Sequence, residues 1–188
     1  MLQIDIEQLQ SAWRWAARHH GKQRYALAEV DTFLPYTSHL GGVAFEVFTA
    51  LIAEPVKEAE EANLSLQCAV LHDVIEDTPA TYEQVRDAFG QPVAAGVSAL
   101  SKDESLATKA AQMADSLARI RRQPAAVWKV KLADRIVNLS PPPFHWDRIK
   151  KATYYQEARR IHDALHEASP YLGERLRQKM DNYRQYLI

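Results

Sequence analysis

The chain has 188 residues, 47% of them hydrophobic, and its 23 Lys and Arg against 24 Asp and Glu give a formal net charge of -1. That length suits one domain over residues 1-188 and leaves no room for a second catalytic unit. The balanced charge argues against a nucleic-acid binder, which carries a basic excess. The single cysteine, Cys68, rules out an intrachain disulfide and reads as a buried thiol. The opening MLQIDIEQLQ has no basic stretch leading into an apolar run, and no later segment reaches membrane-span length, so a cytoplasmic protein is expected.

Taken in chain order, Ile6, Leu9, Trp13, Ala16, Ala17 and His20 follow a three-and-four spacing, opened by Asp5 with Gln8 and stopped by Gly21. After the loop LAEVDTFLPYTS, the same spacing runs through Leu40, Val43, Ala44, Val47, Phe48 and Leu51 and ends before Pro55, with His39 in the first turn. A third helix is predicted from about Asn63 or Ser65 through LHDVIED, ending before Thr78-Pro79 because proline disfavours helix in the residue ahead of it. Thr81 with Gln84 starts a short helix that closes at Gly90, and further helical patterns occupy about 92 to 100, 105 to 122, 125 to 139, 146 to 168 and 171 to 187. No window alternates apolar and polar residues, so no strand is predicted and the fold class is all-α. Pro141, Pro142 and Pro143 read as a rigid bend between packed helices.

Two segments carry chemistry. In LHDVIED, residues 71 to 77, apolar Leu71, Val74 and Ile75 alternate with His72, Asp73, Glu76 and Asp77. On a continuous helix His72 stacks over Glu76 and Asp73 over Asp77. Three carboxylates so close repel one another, and a divalent cation bound by the His and Asp removes that repulsion. In KVKLADRIVNL, residues 129 to 139, Lys131, Asp134, Arg135 and Asn138 share one face of an otherwise apolar helix. Each segment alone also fits a solvated helix face.

Together, in the order His39, His72-Asp73, Glu76-Asp77 and Asp134, they resemble the HD superfamily of metal-dependent phosphohydrolases. More narrowly, they resemble the alarmone hydrolases related to the hydrolase half of the RelA/SpoT proteins. HGKQRY at 20 to 25, PYTSHL at 35 to 40, LHDVIEDT at 71 to 78 and ALSK at 99 to 102 extend the match over about residues 5 to 187. The resemblance implies an HD-domain helical bundle with a metal-motif core at about 36-140 and C-terminal helices at 146-187. It implies one Mn2+ held by His39, His72, Asp73 and Asp134, with Glu76 and Asp77 as the catalytic acidic pair. Arg24 matches a base-stacking arginine and Asn138 a nucleotide-binding asparagine. Lys131 is a candidate phosphate contact, and Arg135 is read as a brace for Glu76 or another carboxylate.

The chain departs from the family pattern at Tyr25, where a basic residue is usual, and at Leu40, where a proline follows the first metal histidine. Tyr25 is therefore placed with the substrate contacts as a residue that bears on base choice. The implied substrate is a purine nucleotide alarmone, (p)ppGpp or (p)ppApp, hydrolysed at its 3′ pyrophosphate. Rival readings are an HD phosphohydrolase acting on another nucleotide, such as NADPH or a deoxynucleotide, and a non-catalytic nucleotide-binding module. The clusters around Arg119, Lys150 and Arg159 read as solvated helix faces.

Overall fold

Side-chain caps open five of the ten α-helices described in the computed structural model, which covers residues 3–29 and 32–187. Helix α1 (Ile6–His20) starts where the Asp5 carboxylate accepts the Gln8 backbone N–H at 3.0 Å, and it stops at Gly21, whose φ of 51° suits a residue without Cβ. Helix α2 spans Thr37–Ala53, α3 Ala59–Leu71 and α4 only Val74–Asp77. Helix α5 (Tyr82–Phe89) opens on the reciprocal capping box of Thr81 and Gln84, and α6 (Gln91–Leu100) follows directly. Helices α7 (Lys109–Ile120), α8 (Ala125–Asn138), α9 (Arg148–Leu165) and α10 (Pro170–Tyr183) complete the bundle. The fold class is all-α, as expected.

Helices α2, α3 and α8 pack on one another and hold the core. Val127, Val130, Leu132, Ala133 and Ile136 of α8 are fully buried, as are Cys68, Ala69 and Leu71 of α3. The approach is tight enough to require glycine at one point. A Cβ on Gly96 of α6 would lie 2.7 Å from Cys68 Sγ and 2.9 Å from a Val127 methyl, so α3, α6 and α8 meet around a missing side chain.

Four expectations need correction. A two-stranded antiparallel hairpin, β1 (Arg24–Ala26) and β2 (Phe33–Pro35), pairs Tyr25 with Leu34. Strands of three mostly exposed residues are too short to show alternation, so the sequence pattern could not reveal them. Helix α3 begins at Ala59 rather than at Asn63 or Ser65. The Asn63 side chain instead accepts the Asp5 N–H at 2.8 Å and donates to the Ala59 carbonyl. The predicted continuous helix through residue 77 is interrupted, because Asp73 at φ -101° and ψ -1° separates α3 from α4. Finally, Arg119 is no solvated charge: besides Asp115, it donates to the carbonyl oxygens of Ser98 and Ser101, closing the C-terminal end of α6.

Candidate active site

The break between α3 and α4 shapes the site. Helix α3 delivers His72 at its C-terminal end, and the turn at Asp73 carries that carboxylate under the first turn of α2, where His39 sits. Helix α8 presents Asp134 from the opposite side. His39 Nε2 and His72 Nε2 lie 3.2 Å apart, and Asp73 Oδ2 stands 2.9 Å from His72 Nε2 and 3.4 Å from His39 Nε2. Asp134 Oδ1 is 3.5 Å from His39 Nε2 and 3.8 Å from His72 Nε2. Four donor atoms therefore converge, and those of His39, His72 and Asp134 lie within 4.8 Å of one another.

Two imidazoles and two carboxylates are a donor set for a divalent cation of borderline or hard character. The electrostatics fit one. His72 Nδ1 donates to the Ala69 carbonyl at 2.9 Å, so a neutral His72 turns a bare Nε2 toward the cluster. Burial alone lowers an imidazole, but the Asp73 and Asp134 carboxylates override it and push His72 up to about 9. Burial opposes the ionisation of Asp73 as well, yet His72 and His39 hold its carboxyl well below the usual range. Asp134 lies at about 2, with Lys131 and the histidines outweighing its burial. Without a cation the cluster keeps a proton in its place.

The same cleft, about 190 Å³, is lined by Glu76, Asp77, Lys102, Lys131, Arg135, Asn138, Tyr154 and Glu157 beside His39, Asp73 and Asp134, with His72 buried behind them. Its five carboxylates outnumber its three cations by two, the charge a divalent ion would restore. Tyr36, at the start of α2, donates its hydroxyl to Asp73 Oδ2 at 2.5 Å. Lys131 Nζ donates to Asp134 Oδ2 at 3.0 Å and Asn138 Nδ2 to Asp134 Oδ1 at 2.5 Å, so both residues meant for substrate also orient a carboxylate of the cluster. Glu76 accepts from the Lys102 backbone N–H at 2.8 Å and from Lys102 Nζ at 2.7 Å. Asp77 accepts from Gln23 Nε2 at 3.0 Å.

Tyr25 stacks on His39, with ring centroids 5.2 Å apart and planes 19° from parallel, and its hydroxyl reaches Asn138 Oδ1 at 3.5 Å. Arg24 is exposed on β1, and its side chain makes no hydrogen bond or ion pair among the described residues. Arg135 braces Glu157 at 3.3 Å, not Glu76, and its guanidinium lies 4.1 Å over the Tyr154 ring. A second cleft of about 500 Å³, walled by Leu27, Pro141, Trp146 and Tyr154, adjoins the first through Asn138 and Tyr154. Tyr36, Lys102 and Gln23 are the site residues that local spacing missed. Their only sequence signal was membership in PYTSHL, ALSK and HGKQRY.

The chain matches the HD domain family over residues 12–169. It is 29% identical over 170 residues to the guanosine-3′,5′-bis(diphosphate) 3′-pyrophosphohydrolase MESH1 of Danio rerio, covering 87% of each chain. It is 36% identical over 139 residues to the bifunctional (p)ppGpp synthase/hydrolase SpoT of Escherichia coli (strain K12), covering 71% of this chain but 18% of that protein. A solved structure, described as a metazoan ortholog of SpoT that hydrolyzes ppGpp, superposes with a TM-score of 0.76 at 26% identity, over 96% of this chain and 97% of that one. With the family matched across most of its length, and an acidic and imidazole cluster at the motif positions, the chain belongs to the HD-domain family.

Proposed function

We propose that this chain is a manganese-dependent hydrolase that removes the 3′ pyrophosphate from a purine alarmone of the (p)ppGpp or (p)ppApp type, working as a single domain in the cytoplasm. One observation carries the reading: His39, Asp73 and Asp134, with His72 Nε2 within 3.2 Å of His39 Nε2, line the same small cleft as the Glu76-Asp77 pair. The relatives named for (p)ppGpp hydrolysis support the substrate class. Among the described residues no helix is long and apolar enough to cross a membrane.

His39, His72, Asp73 and Asp134 would hold the metal, which when bound supplies charge neutralisation and a more acidic water. The chain's own groups do the rest. Tyr36, Lys131 and Asn138 fix the two carboxylates of the cluster. Glu76, anchored twice by Lys102, and Asp77 are the proton-handling pair. A water proton passes to one carboxylate, the hydroxyl adds to the phosphorus on the ribose 3′ oxygen, and that oxygen leaves with a proton from the pair. Tyr25 lines the aromatic second cleft, which has room for the base and ribose, and Arg24, exposed next to it on β1, would stack on the base.

Incubation of the purified protein with manganese and either ppGpp or ppApp tests this. The expected products are pyrophosphate and the corresponding nucleoside 5′-diphosphate. Unchanged alarmone in a metal-loaded protein, or release of single phosphates, would contradict it.

A further inference from the structure

We propose that His20 and Gln23 form a positioning chain that fixes the Asp77 carboxylate, and that Tyr36 closes this chain on the metal ligand Asp73. The inference rests on the reading of Asp77 as a proton-handling residue. Gln23 Nε2 donates to Asp77 Oδ2 at 3.0 Å, and Gln23 Oε1 lies 2.7 Å from His20 Nδ1. The His20 ring stacks on Tyr36 with centroids 4.6 Å apart and planes 21° from parallel, and the Tyr36 hydroxyl meets Asp73 Oδ2. The backbone completes the circuit, because the Asp77 N–H donates to the Asp73 carbonyl at 2.8 Å.

The circuit has a fixed polarity. An ionised carboxylate only accepts, so Gln23 turns its NH2 to Asp77 and its carbonyl to His20. His20 must then donate from Nδ1, which leaves Nε2 as the bare nitrogen. His20 is 5% exposed, Nε2 has no hydrogen-bond partner among the described residues, and burial lowers the pKa of the ring. A neutral His20 with its proton on Nδ1 satisfies every one of these observations. Local structure supplies the geometry: Gly21 turns the chain at positive φ, and the Gln23 N–H returns to the His20 carbonyl at 2.8 Å, folding Gln23 back over the end of α1.

The need for such a chain lies in α4. Asp77 ends a single helical turn and is exposed, and among the described residues Gln23 is the one side chain that bonds it. Without Gln23 the carboxylate would sample several rotamers; with it, Oδ2 is held and Oδ1 is left for the reacting water. Because the same chain ends on Asp73, the spacing between metal ligand and proton carrier is set by side chains as well as by backbone.

Gln23→Leu and Asp77→Ala, singly and together, test the proposal through kcat and KM for ppGpp with manganese. The side-chain amide resonances of Gln23 in the metal-free protein give a readout independent of turnover. Gln23→Leu should lower kcat about 10- to 30-fold with KM little changed, as expected for a misplaced catalytic group. It should cause no further loss in the Asp77→Ala background. The Gln23 amide resonances should move when Asp77 becomes Ala. Equal losses in both backgrounds, an unchanged kcat, or amide resonances indifferent to Asp77→Ala would each overturn the chain. If the wild-type protein leaves ppGpp intact, the proposed function fails, while the amide resonances still decide the Gln23 contact.

Discussion

Tyr36→Phe removes one hydroxyl and little else. The ring of Tyr36 stacks on His20 and lies 5.4 Å from His39, and phenylalanine keeps both contacts. What is lost is the hydrogen bond at 2.5 Å to Asp73 Oδ2, the same oxygen that faces His72 Nε2 at 2.9 Å and His39 Nε2 at 3.4 Å. A hydrogen bond to a charged group contributes about 1.5–3 kcal/mol. If that stabilisation acts on the ligand geometry, metal affinity should fall by about 10- to 100-fold, the range typical of groups that support a metal ligand. Isothermal titration of manganese into the metal-free wild-type and Tyr36→Phe proteins measures it, with circular dichroism confirming equal helix content. An affinity within twofold of wild type would refute the argument that this hydroxyl fixes Asp73.

Three further outcomes are expected. Since His72 is raised to about 9 in the metal-free fold and sits near 6.5 when unfolded, its stabilising proton is fully present below pH 6.5 and lost as pH rises through about 9. Manganese bound at the proposed site would have to displace that proton, so its affinity should climb roughly tenfold per pH unit between these values and then level off, and a flat titration would contradict it. Gly96→Ala should destabilise the protein in urea by about 1–2 kcal/mol, because overpacking against Cys68 and Val127 outweighs the gain in helix propensity, and equal or greater stability would show that α6 can shift. Cys68 is fully buried and its thiol is pushed up to about 12, so it stays protonated at pH 8 and should react with iodoacetamide only when the protein is unfolded.

Much of this architecture is legible in the sequence because it is local. The helix faces of α1, α2 and α8 follow from apolar spacing, and the caps at Asp5 and Thr81 from short-range pairs. Cys68 was readable as buried from its neighbours alone. The resemblance placed His39, His72, Asp73 and Asp134 in one cluster, and their donor atoms do converge. What stayed hidden depends on partners distant along the chain. Lys102 meets Glu76 across 26 residues, Tyr36 meets Asp73 across 37 and Gln23 meets Asp77 across 54. No helical periodicity encodes such pairs. The role of Arg119 is hidden for the same reason, since two of its partners are backbone carbonyls at the end of another helix, and the hairpin leaves no pattern because its strands are three residues long.

The division of labour in the cleft is tested most directly by measuring metal content and ppGpp turnover together in two variants, Asp134→Ala and Glu76→Gln. Glu76→Gln keeps the side chain's shape while removing its charge, so it should retain metal at wild-type level and lose most of its rate, about 10²- to 10⁴-fold. Asp134→Ala should lose metal and turnover together. Full metal content and activity in Asp134→Ala, or loss of metal in Glu76→Gln, would contradict the assignment of ligands and proton carriers.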